Sequence, residues 1–135
     1  MRYMLLIYTK EDEAARRSSE EMQQAMGRHL ALMEETRAKG ILENAEPLAT
    51  TETATTVRLQ NGKVLVTDGP FAETREQLAG YYILNCKDLD EAIVYASKIP
   101  TACGGLHGCV EIRPFRSELA QQKDAGAKAS ATVNG

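Results

Sequence analysis

Along residues 2–8, "RYMLLIY", apolar side chains fall on both alternating faces, Tyr3, Leu5 and Ile7 on one and Met4, Leu6 and Tyr8 on the other. A period of two with neither face polar predicts a central strand covered on both sides. Ser18 then stands three residues before Glu21, the spacing of a capping box, and Met22, Met26, Leu30 and Met33 recur at helical intervals as far as Gly40. The pattern predicts a long amphipathic helix over about residues 19–39, with Gly40 as its C-terminal cap. Next, "ILENAEPLATTETA" shows no helical period and reads as a polar connector.

"TVRLQNGKVLVTD" reads as two strands joined by Asn61-Gly62, since a two-residue type I′ turn needs positive φ at both central positions. Residues 80–86, "GYYILNC", form another run apolar on both faces. Asp88 and Glu91 open a second capped helix, with Leu89, Ala92, Ile93, Ala96 and Ile99 as its inward stripe and Pro100 as its stop. After a glycine-rich loop, "CVEIRPF" alternates Val110 and Ile112 against Glu111 and Arg113, a final strand with one apolar and one charged face.

This order of elements predicts an α+β fold: a ferredoxin-like split βαβ antiparallel sheet with an extra hairpin strand. Right-handed crossovers place both helices on one face. The first strand and the 80–86 run are apolar on their other face too, which two helices on one side cannot cover. A second copy of the sheet is the expected cover, giving a homodimer through sheet faces that encloses a pocket between sheets and loops.

Length and charge narrow the function. A chain of 135 residues, 43% hydrophobic and 26% charged, is expected to form one globular domain over residues 1–117. The low-complexity stretch of residues 118–135 reads as a flexible tail. A net charge of −3 with no basic cluster argues against nucleic acid as a partner. The apolar start runs at once into Lys10-Glu11-Asp12-Glu13 without a cleavage site, and no segment approaches the ~20 apolar residues of a membrane span. With an odd count of cysteines, Cys86, Cys103 and Cys109, a cytoplasmic protein is expected.

Candidate chemistry gathers around "TDGPFAETREQLAGYYIL". Asp68 ends an apolar strand, where a carboxylate can act as general base or anchor a polar ligand group. Alternatively it accepts bonds from turn amides while Gly69 and Pro70 shape the turn. Phe71 reads as a plug docking the loop onto the core. Glu73, Arg75 and Glu76 form either a lid or a solvated loop. His29 lies within the apolar stripe of its helix and points toward the sheet, as a proton-exchanging group or a satisfied core residue. Arg113 suits a carboxylate ligand or an ion pair, and Tyr8, Tyr81 and Tyr82 stand on strands where a hydroxyl can orient a ligand or pack an interface. Cys103, His107 and Cys109 lie close in "CGGLHGC", but neither zinc-type spacing is present, and Gly104, Gly105 and Gly108 follow no strand, so no metal, nucleotide or other cofactor is expected.

"DGPFAETREQLAGYY", followed by "DEA" on a helix and a closing "GCVEIRPF", resembles the DGPF-motif proteins of the YCII-related family from Met1 to about Phe115. The resemblance implies a ferredoxin-like dimeric α+β barrel and a small-molecule pocket near the motif. It also implies a link to alternative sigma factors, whose genes often neighbour those of the family. The family's acidic motif residue carries over to Asp68 and its turn residues to Gly69, Pro70 and Phe71. A histidine–aspartate pair is further implied, for which His29 is the candidate histidine, provided that it reaches the face bearing Asp68. Two functions are therefore expected in competition. One is a cofactor-independent enzyme doing acid–base chemistry on a small carbonyl or enol-type substrate, with Asp68 as base or orienting acid. The other is a non-catalytic dimeric module binding a metabolite or a protein.

Overall fold

The computed structural model describes residues 1–100 and 108–117. Strand β1 (Arg2–Thr9) is followed by a single-turn helix α1 (Glu11–Ala14) and the long helix α2 (Ser19–Ala38). The Ser18 hydroxyl accepts the Glu21 N–H at 3.1 Å and donates to the Glu21 carboxylate, so Ser18 caps α2 where the spacing predicts. Strand β2 (Leu42–Pro47), the hairpin strands β3 (Thr55–Gln60) and β4 (Lys63–Asp68), and strand β5 (Gln77–Asn85) come next. Helix α3 (Leu89–Ser97), N-capped by the Asp88 carboxylate, and strand β6 (Gly108–Pro114) complete the described fold.

Four strands form one sheet in the order β2-β5-β1-β6, and every described pairing is antiparallel. This is the ferredoxin-like α+β arrangement, with β1 central and both crossover helices on one side. The hairpin pairs only with itself, in the register Val57↔Val66 and Leu59↔Val64, and its turn uses positive φ at Asn61 and Gly62. It stands outside the main sheet. The fourth strand comes instead from the stretch expected to be a plain connector: β2 pairs along β5 as an edge strand, with a register shift between Leu42 and Asn44. One bulge and a polar outer row weaken the period of two there, and β5 supplies the pairing that the local sequence does not announce.

The core lies between the sheet and the helices. Tyr3, Leu5 and Ile7 of β1, Tyr82 and Leu84 of β5, Leu32 of α2, and Ala92, Tyr95, Ala96 and Ile99 next to or in α3 are buried together, with Val110 and Ile112 packed against them. Two expected stripes are corrected here. Met22, Met26 and Leu30 are 59%, 56% and 57% exposed, and α2 instead buries Leu32 and Thr36, whose hydroxyl donates to the Leu32 carbonyl at 2.8 Å. On α3, Leu89 and Ile93 are exposed and Tyr95 is buried in their place. In both helices the inward direction is set by where the small or satisfied side chains let the helix approach the sheet, rather than by counting apolar residues.

The other sheet face carries Met4, Leu6 and Tyr8 beside Tyr81 and Ile83, flanked by Glu111 and Arg113 of β6. All five of those central side chains are half-buried, so the chain leaves this face open.

Gly80 sits where β5 meets β2 most closely. A Cβ there would lie 2.8 Å from the Glu46 carbonyl oxygen and 3.2 Å from Pro47 Cα, both backbone atoms of the neighbouring strand. Gly80→Ala is expected to destabilise the fold by about 1–3 kcal/mol. Gly27, in the exposed middle of α2 with nothing within 4 Å of a Cβ, is the contrasting position. There alanine is expected to stabilise by about 1 kcal/mol through helix propensity. Urea unfolding midpoints of the two variants, moving in opposite directions from wild type, test both expectations.

Candidate functional site

Four residues of the sequence motif form the exit from the hairpin. Asp68 is the last residue of β4, opposite Thr55, and its side chain is exposed. Gly69 follows at φ +101°, a conformation L side chains rarely adopt. Its N–H donates to the Ala54 carbonyl at 2.7 Å, and its carbonyl accepts the Thr56 hydroxyl at 2.8 Å. Arg58 reaches the Phe71 carbonyl at 3.2 Å. These backbone contacts fix the turn, while the Asp68 carboxylate makes no hydrogen bond or ion pair among the described residues. The turn-forming role weighed for that carboxylate is therefore absent. Phe71 is 74% exposed and does not plug the core.

Beyond Phe71 the loop folds over a cleft of about 240 Å³ lined by Thr51, Pro70, Ala72, Glu73, Thr74 and Gln77. Its frame is polar. Glu11 accepts the Thr51 N–H and hydroxyl, each at 2.8 Å, on its two carboxylate oxygens. The Glu11 N–H donates to Gln77 Oε1 at 3.0 Å, and Gln77 Nε2 donates to the Thr74 carbonyl at 2.6 Å. Glu11 at the start of α1 thus ties the 3₁₀ turn before the hairpin through its carboxylate and the start of β5 through its backbone N–H. The sequence reading passed over Glu11, Thr51 and Gln77. The run Lys10-Glu11-Asp12-Glu13 looks like a solvated charge cluster until the topology brings Thr51 to it.

His29 does point toward the sheet. Its Nδ1 lies 2.7 Å from the Tyr82 hydroxyl, and the two rings are stacked with centroids 6.0 Å apart and planes 19° from parallel. Burial lowers the His29 pKa below the ordinary 6.5 and pushes the Tyr82 pKa up to about 12. Near neutral pH both groups are therefore uncharged. Tyr82 remains a phenol that can either donate to or accept from Nδ1, and the ring nitrogen left free is then a donor or a base accordingly. The partner of His29 is thus Tyr82 of the helix-covered face; the two residues of the implied histidine–aspartate pair share no contact.

Tyr81 lies on the opposite, open face, where its hydroxyl accepts from Asn44 Nδ2 at 3.0 Å. Tyr8 stands on the same face, opposite Cys109. Arg113 is exposed beside Met4, and Glu111 beside Leu6, as the alternation of β6 predicts. The site residues thus divide into three groups: the motif turn with its cleft, the His29–Tyr82 pair, and the open face of Tyr8, Tyr81 and Arg113. Cys103, His107, Gly104 and Gly105, with the stretch read as a tail, lie outside the described residues. Cys109 approaches Glu76 Oε2 at 3.8 Å. Among the described residues no helix is long and apolar enough to cross a membrane.

The model of the YCII-related domain matches residues 1–116, across the sheet, both long helices, the hairpin and the motif. The chain belongs to the YCII-related family. It is also 37% identical over 115 residues to an uncharacterized protein of Rhizobium meliloti (strain 1021), a match covering 85% of this chain and 92% of that protein.

The lowered His29 pKa fixes a direction for the pH dependence of stability in this YCII-related domain. As pH falls below 6.5 the unfolded chain binds the histidine proton before the folded chain does. The contribution of neutral His29 is complete above that value and is lost on acidification toward and below it. Denaturant midpoints measured from about pH 8 to about pH 5 are expected to fall more steeply for wild type than for His29→Gln, which can still bond Tyr82 but does not titrate. Parallel curves would show that His29 is not the group responsible.

Proposed function

We propose that this YCII-related protein binds a small molecule and transfers protons on a carbonyl or enol-type substrate without a cofactor. The observation that carries the reading is the His29–Tyr82 pair, a 2.7 Å contact between two neutral, partly desolvated proton-exchanging groups. Such groups, with pKa values displaced by their surroundings, are what acid–base catalysis uses. A neutral imidazole held by a phenol takes up a proton from an acidic carbon or hydroxyl and returns it elsewhere on the substrate, so the balance of the reaction is an isomerisation or an elimination.

Asp68 is the second acid–base candidate, as base or orienting acid, supported by a carboxylate that no local bond occupies. Gly69, Pro70 and Phe71 shape the motif side of the ligand site. Arg113, with Tyr8 and Tyr81, offers an anion-binding fork and hydroxyls on the open face, which a second copy meeting sheet to sheet would enclose. The half-buried row Met4, Leu6 and Ile83 supports that homodimer. A second reading, a non-catalytic module that binds a metabolite or a protein linked to sigma-factor control, is favoured by one observation. The hairpin exposes Val57, Leu59, Val64 and Val66, an apolar surface outside the sheet contact.

Thermal unfolding across a panel of small keto acids, lactones and enols separates the readings. A compound that raises the midpoint of wild type, but not of His29→Gln, is expected under the enzymatic reading and becomes the first substrate to assay. If Asp68→Asn also loses that shift while remaining as stable as wild type without ligand, Asp68 contacts the ligand. Equal shifts in wild type and both variants would remove His29 and Asp68 from the site, and with them the proposed chemistry.

A further inference from the structure

His29 and Tyr82 stand in surroundings without charge. On α2 the positions three, four and seven residues from His29 share its side of the helix, and they hold Met22, Ala25, Met26, Leu32, Met33 and Thr36. Beneath them, Tyr82 lies between Leu5 of β1 and Ala45 of β2, with Gly80 and Leu84 next on the same face of β5 and Pro47 opposite Gly80. Every one of these side chains is uncharged. Arg28, the neighbour of His29 in sequence, points about 100° round the helix. Glu35 turns to Lys39 and Lys98, at 3.3 and 2.9 Å, on the α3 side. Burial alone moves the proton affinity of both His29 and Tyr82, with no charged neighbour contributing.

The pair is nonetheless within reach of a ligand. Nδ1 of His29 is taken by Tyr82, but Nε2 has no partner among the described residues, none of whose buried side-chain nitrogens or oxygens is left unbonded. Nε2 is therefore open to solvent. Round α2, the buried Leu32 and Thr36 lie to one side of His29 and the three methionines to the other, so the open side is the methionine side. There Met33 and Ala45 pack against the core, while Met22 and Met26 stand exposed.

The face of the sheet matters as much as the charge. Tyr82 and Leu5 look toward the helices, whereas Arg113 stands beside Met4 on the opposite face, with the backbone of the sheet between them. A small molecule whose carbonyl reaches His29 touches neither Arg113 of its own chain nor that of a copy meeting the open face. In a small keto acid the carboxylate sits close to the reacting carbonyl. Its charge would enter the same uncharged surroundings without a partner, at a desolvation cost that no contact offsets.

We propose that His29 and Tyr82 take an uncharged carbonyl or enol compound whose apolar body lies along Met22 and Met26, with Met26 setting the preference for a neutral ligand and Arg113 taking no part. This rests on the proton-transfer reading of the pair and narrows its substrate, from keto acids, lactones and enols at large to the uncharged ones among them.

The test compares methyl phenylpyruvate with phenylpyruvate, which share a carbonyl and a ring and differ by one negative charge. Binding is followed at neutral pH through the imidazole NMR signals of His29, told apart from those of His107 by the His29→Gln variant. The ester is expected to shift the His29 signals and to bind about tenfold tighter than the acid. Met26→Lys changes an exposed side chain and is expected to keep the unfolding midpoint near that of wild type. By giving the carboxylate a cation, it is expected to narrow the gap between the two compounds about threefold. An acid that shifts His29 and binds as tightly as the ester, or a gap that Met26→Lys leaves unchanged, would overturn the inference and leave the proton-transfer reading standing. His29 signals that respond to neither compound would overturn both.

Discussion

Strand β1 is hydrogen-bonded along both edges and apolar on both faces, and most of the molecule follows from satisfying that strand. Its neighbours β5 and β6 take up its backbone groups. Its Tyr3, Leu5 and Ile7 face is sealed by α2 and α3, with Leu5 and Leu84 fully buried beneath them. Burying such side chains contributes about 1.5–3 kcal/mol each, which makes the helix-covered layer the main apolar source of stability. Met4, Leu6 and Tyr8, on the reverse, remain half-buried because both helices are already committed to the other side. The chain is thus folded yet unfinished on one face, and that asymmetry separates the tyrosines of β5 into different environments one residue apart.

The separation has chemical consequences. Tyr82 goes under α2, loses water and meets His29; Tyr81 goes to the open face and is held by Asn44. Two identical side chains therefore serve different ends. The first shares a proton position with an imidazole and has its own ionisation driven up to about 12. The second stands between Leu6 of β1 and Glu46 of β2, its hydroxyl bonded to Asn44 on the open face. Desolvation by burial drives both shifts in the His29–Tyr82 pair, with no neighbouring charge involved. The pair responds to whatever wets or covers the flank of α2, so ligand entry or a second copy lying there would change its proton affinity.

Much of this was legible in the residues. The alternation in β1 and β5, the Asn61-Gly62 turn and the capping spacings at Ser18 and Asp88 each have a local physical cause, and each element formed where that cause operates. The partner of His29 was half legible: the helical angle sends it to the sheet, but which sheet residue meets it depends on the register of β5 against β1. Strand β2 was not legible, because its pairing energy comes from β5 and its own sequence is an edge with a bulge. Nor was the Glu11–Thr51 tie, a contact across 40 positions of chain that only the topology creates. The methionine row misled for a different reason. Its spacing is truly helical, but spacing reports an apolar stripe without saying what covers it.

That last distinction reaches beyond one helix. An apolar stripe is informative when its cover is known, and here the chain's own core uses Leu32 and Thr36 rather than the methionines. Methionine is a costly choice for an exposed flank, where apolar surface promotes nonspecific association, and a sensible one for a flank that receives another surface, since its unbranched thioether adapts to what it meets. The hairpin has the same character in β form, with branched side chains on one two-stranded face and a reverse that is polar except for Leu65. Its ordered turn, bonded through Gly69 to Ala54 and Thr56, holds that face in place without a core beneath it. The motif turn thus fixes the end of the hairpin: Gly69 bonds back to Ala54 and Thr56, and Asp68 closes β4.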